Sequence, residues 1–103
     1  MAKTRIMYIE NKAKCFAVIG RVTFSQTGRT LYYRGRRLKK VGYGYKYNHM
    51  DEVTGEEYWI SGPKKNGEDG LYGHRPTPID EEVREEYWVE IRGKPERKGD
   101  KRT

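Results

Sequence analysis

The chain has 103 residues, 22 Lys/Arg against 15 Asp/Glu, a net charge of +7 and one cysteine, Cys15. That length allows one domain and excludes two of ordinary size, and a lone cysteine excludes an internal disulfide. No stretch approaches the roughly 20 apolar residues of a membrane span, and "MAKTRIMYIENK" holds no apolar run of signal-peptide length, so the expected setting is the reducing cytoplasm, with no membrane partner.

Leu, Ile, Val and Phe make up only 17 of the 103 residues, below the roughly 20% that warns of disorder in a charged chain. Nine Tyr and two Trp compensate, since each buries about 150–250 Å² when packed. The reading is one domain over residues 1–93 with a small aromatic-rich core, and a charged, disordered tail over 94–103. The charge is uneven. Residues 1–50 carry twelve bases and one acid, residues 51–91 four bases and twelve acids, and residues 92–103 six bases and two acids. A basic first half suits phosphate backbones; equally, the acidic stretch can fold against it.

"TRIMYIE" (4–10) alternates as a first strand, with Ile6 and Tyr8 on one face and Met7 and Ile9 on the other. "CFAVIGRVTF" (15–24) is a second, in which Gly20 predicts a bulge or bend and Cys15 an ordinary core thiol. "SQTG" then turns into "RTLYYRGRRLKK", with Gly28 at a left-handed position. Val22 and Phe24 face the core with Leu31 and Tyr33, which leaves Arg21, Thr23, Tyr32 and Arg34 on a basic opposite face. A second hairpin follows: Tyr43, Tyr45 and Tyr47 at spacing two, a "DEVTG" turn in which Asp51 bonds the backbone ahead and Gly55 takes a positive φ, and "EEYWIS" returning with Tyr58 and Ile60 on one face.

"GPKKNGEDG" (62–70) is a polar loop. In "TPIDEEVREEYWVEIRGKP" Thr77 caps a helix with Pro78 at its first position and Asp80 completing a capping box, or Asp80 is itself the cap. Ile79, Val83, Tyr87 and Ile91, with Trp88 beside them, form one apolar stripe, and Gly93 and Pro95 end the helix. The fold class is therefore α+β: an antiparallel sheet of four to six strands, built on two hairpins as an open sheet or SH3-like half-barrel, with one C-terminal helix packed on it.

No metal or cofactor is expected. His49 and Asp51 straddle a turn onset, His74 is distant, and there is no Cys-x-x-Cys. His74 in "YGHRP" is tied by spacing to no nucleophile, and the paired carboxylates sit on turns and at a helix start, so no catalytic residue is assigned. "YYRGRRLKKVGYGYKY" (32–47) interleaves six Lys/Arg with five tyrosines, a combination that serves nucleic acid when cations meet the backbone and aromatic faces meet bases.

The runs "GRVTFSQTGRTLYYRG", "YKYNHMDEVTGEEYWISGPKKNGEDGLYG" and "PIDEEVREEYWVEIR", within residues 5 to 92, resemble a family of small stand-alone bacterial proteins to which no biochemical role attaches. Proteins similar to it have sometimes carried the name deoxyxylulose-phosphate synthase. That name implies a thiamine-diphosphate enzyme of several large α/β domains, which 103 residues of hairpins cannot form. The resemblance implies a bacterial, cytoplasmic setting and no catalytic residues.

The expected function is that of a small basic non-enzymatic domain that binds nucleic acid, single-stranded or structured. Arg34, Arg36, Arg37, Lys39 and Lys40 would contact phosphates, Arg21 and Arg29 would extend the patch, and Tyr32, Tyr45 and Tyr47 would stack. The alternative is a protein-interaction module or small homodimer using the acidic middle (Asp51, Glu52, Glu56, Glu57, Glu68, Asp69) and exposed sheet edges.

Overall fold

In the computed structural model, residues 3–41, 46–67, 69 and 76–103 are described. Six strands run in chain order: β1 (Lys3–Asn11), β2 (Phe16–Phe24), β3 (Thr30–Tyr33), β4 (Arg36–Lys40), β5 (His49–Asp51) and β6 (Glu57–Ser61). Each pairs antiparallel with the next, and β6 returns to β1, Tyr8 opposite Ser61 and Asn11 opposite Tyr58, so the sheet closes into a barrel. Closure removes lateral edges that an open sheet would leave unpaired.

Strand β1 is apolar on both faces because each meets a different core. Met7 and Ile9 point into the barrel with Val22, Leu31, Leu38, Tyr58 and Ile60. Ile6 and Tyr8 point outward and pack with Ile19, Ile79, Val83, Tyr87 and Trp88 beneath the C-terminal helix. The period of two delivers both sets from one strand, and each fully buried aliphatic side chain contributes about 1.5–3 kcal/mol.

The β1–β2 pairing holds one register from Lys3 opposite Phe24 to Asn11 opposite Phe16, so Gly20 makes no bulge, contrary to the expectation. It is needed for clearance instead: a Cβ there would lie 2.5 Å from Asp80 Oδ2 and 2.7 Å from Tyr33 Cε1. Cys15 is not core. It is exposed in the turn before β2, at φ 54°.

The run "RTLYYRGRRLKK" that follows is itself a tight hairpin, β3 to β4. Arg34 (φ 48°) and Gly35 (φ 79°) form its two-residue turn between the paired Tyr33 and Arg36, the positive-φ pattern of a type I′ connection. In the next hairpin, Asp51 Oδ1 accepts from Val53 N at 2.8 Å and Thr54 N at 3.1 Å, and Gly55 takes φ 77°. Strand β5 starts only at His49, so Tyr47 precedes it, while Tyr43 and Tyr45 lie outside the described residues.

The helix covers 81–91 as a 3-10 turn (Glu81–Val83), an α turn (Arg84–Glu86) and a π turn (Tyr87–Ile91). It starts later than the Thr77–Pro78 capping box predicts. Pro78 and Ile79 form bridges to Arg102 and Ile19, and Asp80 holds the N-cap position without a side-chain capping bond. Its carboxylate goes to Tyr33 and Arg34 instead. Gly93 (φ 65°) ends the helix. Residues 94–103, read as a disordered tail, run back to the domain here: Ile79 N donates to Lys101 O at 2.8 Å, Thr103 N to Thr77 O at 2.9 Å, and the buried Trp88 Nε1 to Asp100 O at 3.0 Å.

Candidate nucleic-acid interface

The helix packs on Ile6 and Tyr8 of β1 and Ile19 of β2, with Trp59 of β6 against the same cluster, while Tyr32, Arg37 and Lys39 on the outer face of β3 and β4 are exposed. Cross-strand register decides what that face presents. Thr23 stands opposite Tyr32, Tyr32 opposite Arg37, and Thr30 opposite Lys39. Thr23, Tyr32, Arg37 and Lys39 therefore share one side, and Tyr32 is 39% exposed. Arg21 belongs to the same side of β2 but sits at its margin, where it pairs with Glu86 of the helix.

The remaining cations of the basic run separate to the two ends of the hairpin. At the turn end Arg34 meets Asp80 Oδ1 at 3.0 Å and Glu82 Oε1 at 3.4 Å, and its Nε donates to Tyr33 Oη at 3.0 Å. Tyr33 Oη in turn donates to Asp80 Oδ2 at 2.5 Å. Burial first, then the bond to Asp80, pushes the Tyr33 phenol up to about 12. This network also explains why a non-glycine residue holds a left-handed backbone at position 34: two acids from the helix anchor its guanidinium.

Arg36 is similarly committed. It lies 2.8 Å from Asp51 Oδ2 and 2.7 Å from Glu56 Oε1. Burial raises the Asp51 carboxyl, but the Val53 and Thr54 amides and the Arg36 guanidinium outweigh it and hold the group below its usual range. Glu56 is held low chiefly by Arg36. The acidic middle thus folds against the basic run. Arg37 is the looser case, 64% exposed along its side chain and 3.8 Å from Glu52.

At the other end, Lys40 N donates to Arg29 O at 2.8 Å, which sets Arg29 beside Lys40 and one residue from Lys39. Arg29, Lys39 and Lys40 are exposed and form no ion pair among the described residues. Lys40 is also opposite the buried His49, whose imidazole burial, then the Lys40 charge, pushes down to about 4. Tyr47 is half-buried before β5 at this end, whereas Tyr45 and His74 lie outside the described residues.

Of the residues read from the sequence, the structure brings Tyr32, Arg37 and Lys39 to one face, and Arg29, Lys39 and Lys40 to one end of the β3–β4 hairpin. Arg34 and Arg36 stand at the opposite end, with carboxylates. Sequence reasoning passed over an open groove of about 630 Å³ beside Tyr32, lined by Lys3, Thr23, Phe24, Gln26 and Thr27 among others. "SQTG" signalled only a turn, and nothing in the order of residues brings Lys3 beside it. Among the described residues no group of three His, Cys, Asp or Glu is placed to hold a metal, and no helix is long and apolar enough to cross a membrane. Comparison with protein-family models, with curated proteins and with solved structures finds no match for this chain.

Proposed function

We propose that the chain is a small nucleic-acid-binding domain of the bacterial cytoplasm, acting through the outer face of β3 and β4 and the adjoining end of the barrel. The observation that carries this reading is the exposed Tyr32 beside Arg37 and Lys39, with Arg29 and Lys40, exposed and in no ion pair among the described residues, next to Lys39. Cations that already neutralise carboxylates have less to offer a phosphate, so the affinity is assigned to Arg29, Lys39 and Lys40, with Arg37 assisting. Arg21, Arg34 and Arg36 serve the fold.

The test is fluorescence anisotropy with labelled single-stranded DNA, single-stranded RNA and duplex DNA, at about 50 and about 200 mM salt. Binding that falls steeply with salt and is lost in the triple variant Arg29→Glu, Lys39→Glu, Lys40→Glu supports the reading. A folded triple variant that keeps its affinity overturns the assignment, and no binding of any probe at the lower salt overturns the function.

A further inference from the structure

The groove beside Tyr32 is held open by a loop with internal order. Ser25 N donates to Thr30 O at 2.9 Å, Thr30 N to Ser25 Oγ at 3.1 Å, and Gly28 N to Ser25 O at 3.0 Å. Gly28 closes the turn at φ 76°. The loop is thus set before any ligand arrives, which lowers the ordering cost of binding. Its volume of about 630 Å³ lies within the roughly 300–1,000 Å³ of small-molecule sites. The lining combines an exposed aromatic, a half-buried one in Phe24, a cation in Lys3 and the polar side chains of Gln26 and Thr27. Gln26 forms no side-chain hydrogen bond to a described residue; Thr27 Oγ1 accepts only from Arg29 N at 3.4 Å.

We propose that this groove takes one unpaired base of a single strand, which rests on the nucleic-acid reading above and narrows it to single-stranded DNA or RNA. The base stacks on Tyr32, Gln26 and Thr27 meet its edge, and Lys3 on one side with Lys39 and Arg29 on the other meet the flanking phosphates. Lys3 and Tyr32 both line the groove, Thr23 is opposite Tyr32, and Lys39 is opposite Thr30, which adjoins Arg29. A duplex keeps its bases stacked on one another and offers edges and phosphates only, so it can use the cations but not the aromatic.

The experiment compares Tyr32→Ala, Tyr32→Phe and Gln26→Ala with the unaltered chain, using oligo(dT), oligo(U) and a duplex of about ten nucleotides or base pairs. Tyr32 and Gln26 are exposed, and circular dichroism verifies that each variant is folded. The expected result is preference for the single strands, lost by roughly 5- to 150-fold in Tyr32→Ala, the equivalent of one base stack. Tyr32→Phe retains most of the affinity because the ring remains. Gln26→Ala weakens single strands and leaves the duplex unchanged. Equal binding of single strand and duplex, or a Tyr32→Ala effect that is absent or the same on both, overturns the groove assignment while leaving the broader function standing. Failure of every probe to bind overturns both.

Discussion

Gly20 illustrates how one residue type is imposed from a distance. Its Cα faces a tyrosine and a carboxylate that are hydrogen-bonded to each other, so neither can step aside cheaply for a methyl group. Gly20→Ala is expected to lower stability by about 1–3 kcal/mol as overpacking, measured by urea unfolding; an unchanged midpoint would show that Tyr33 and Asp80 move freely. Arg36 is the second case. Removing it leaves Asp51, 3% exposed, without its guanidinium. Loss of a fully buried partner costs about 3–5 kcal/mol, and the partial exposure of Arg36 reduces that to about 2 kcal/mol for Arg36→Gln. A charge reversal meant to test nucleic-acid binding must therefore avoid this residue. His49 supplies the pH dependence. Its folded pKa of about 4 lies below the ordinary 6.5, so the unfolded chain binds the proton more readily. The stability contributed by the neutral ring is complete above 6.5 and is lost as pH falls towards 4, by at most about 3 kcal/mol. Urea titrations across that window should show the loss in the unaltered chain and a flatter profile in His49→Gln; parallel profiles would assign the acid sensitivity to other groups.

At the scale of elements, the β3–β4 hairpin and the C-terminal segment show opposite degrees of legibility. Alternation in β1, β2 and β6 is plain in the sequence, and each of their inward and outward sets lies where the pattern puts it. The β3–β4 break is hidden because Arg-Gly is a weaker turn signal than Asn-Gly, and the arginine's anchors, Asp80 and Glu82, are more than 40 residues away. The last ten residues read as a tail because they are polar. What orders them is backbone pairing to 77–79 and one acceptor for an indole N–H, with Arg97 stacked 4.1 Å from the Trp88 ring centroid. Deleting residues 100–103 should cost about 2–4 kcal/mol, from a buried Trp88 donor left unsatisfied and the lost backbone bonds. A thermal melt of the shortened chain measures this, and an unchanged Tm would mean that the segment contributes nothing.

For the whole molecule, the question is how a net charge of +7 is distributed. Folding pairs the helix acids with Arg21 and Arg34 and the acidic middle with Arg36 and Arg37. The surplus that remains on the described basic half gathers near one end of the barrel. Each phosphate neutralised there should contribute about 0.7–0.9 to the slope of log affinity against log salt. Changing Arg29, Lys39 and Lys40 to Glu should therefore lower the slope by about two or more. Removal of Arg34 should leave the slope almost unchanged. A slope that responds to Arg34 and not to the three would move the contact to the turn end.

The sequence by itself determined the α+β class, the strand faces, the turn at Asp51–Gly55 and the helix stripe of Val83, Tyr87 and Trp88, because these depend on local period and turn chemistry. It also determined the inventory of cations. Only the tertiary structure decided which cations keep their charge available. Charge pairing acts between residues tens of positions apart, and carboxylates that approach within 4 Å in space have no spacing in sequence that announces them. Closure of the barrel, the clearance at Gly20 and the groove that Lys3 and Tyr32 both line have the same origin: each joins distant segments, fixed by register and packing rather than by neighbours along the chain.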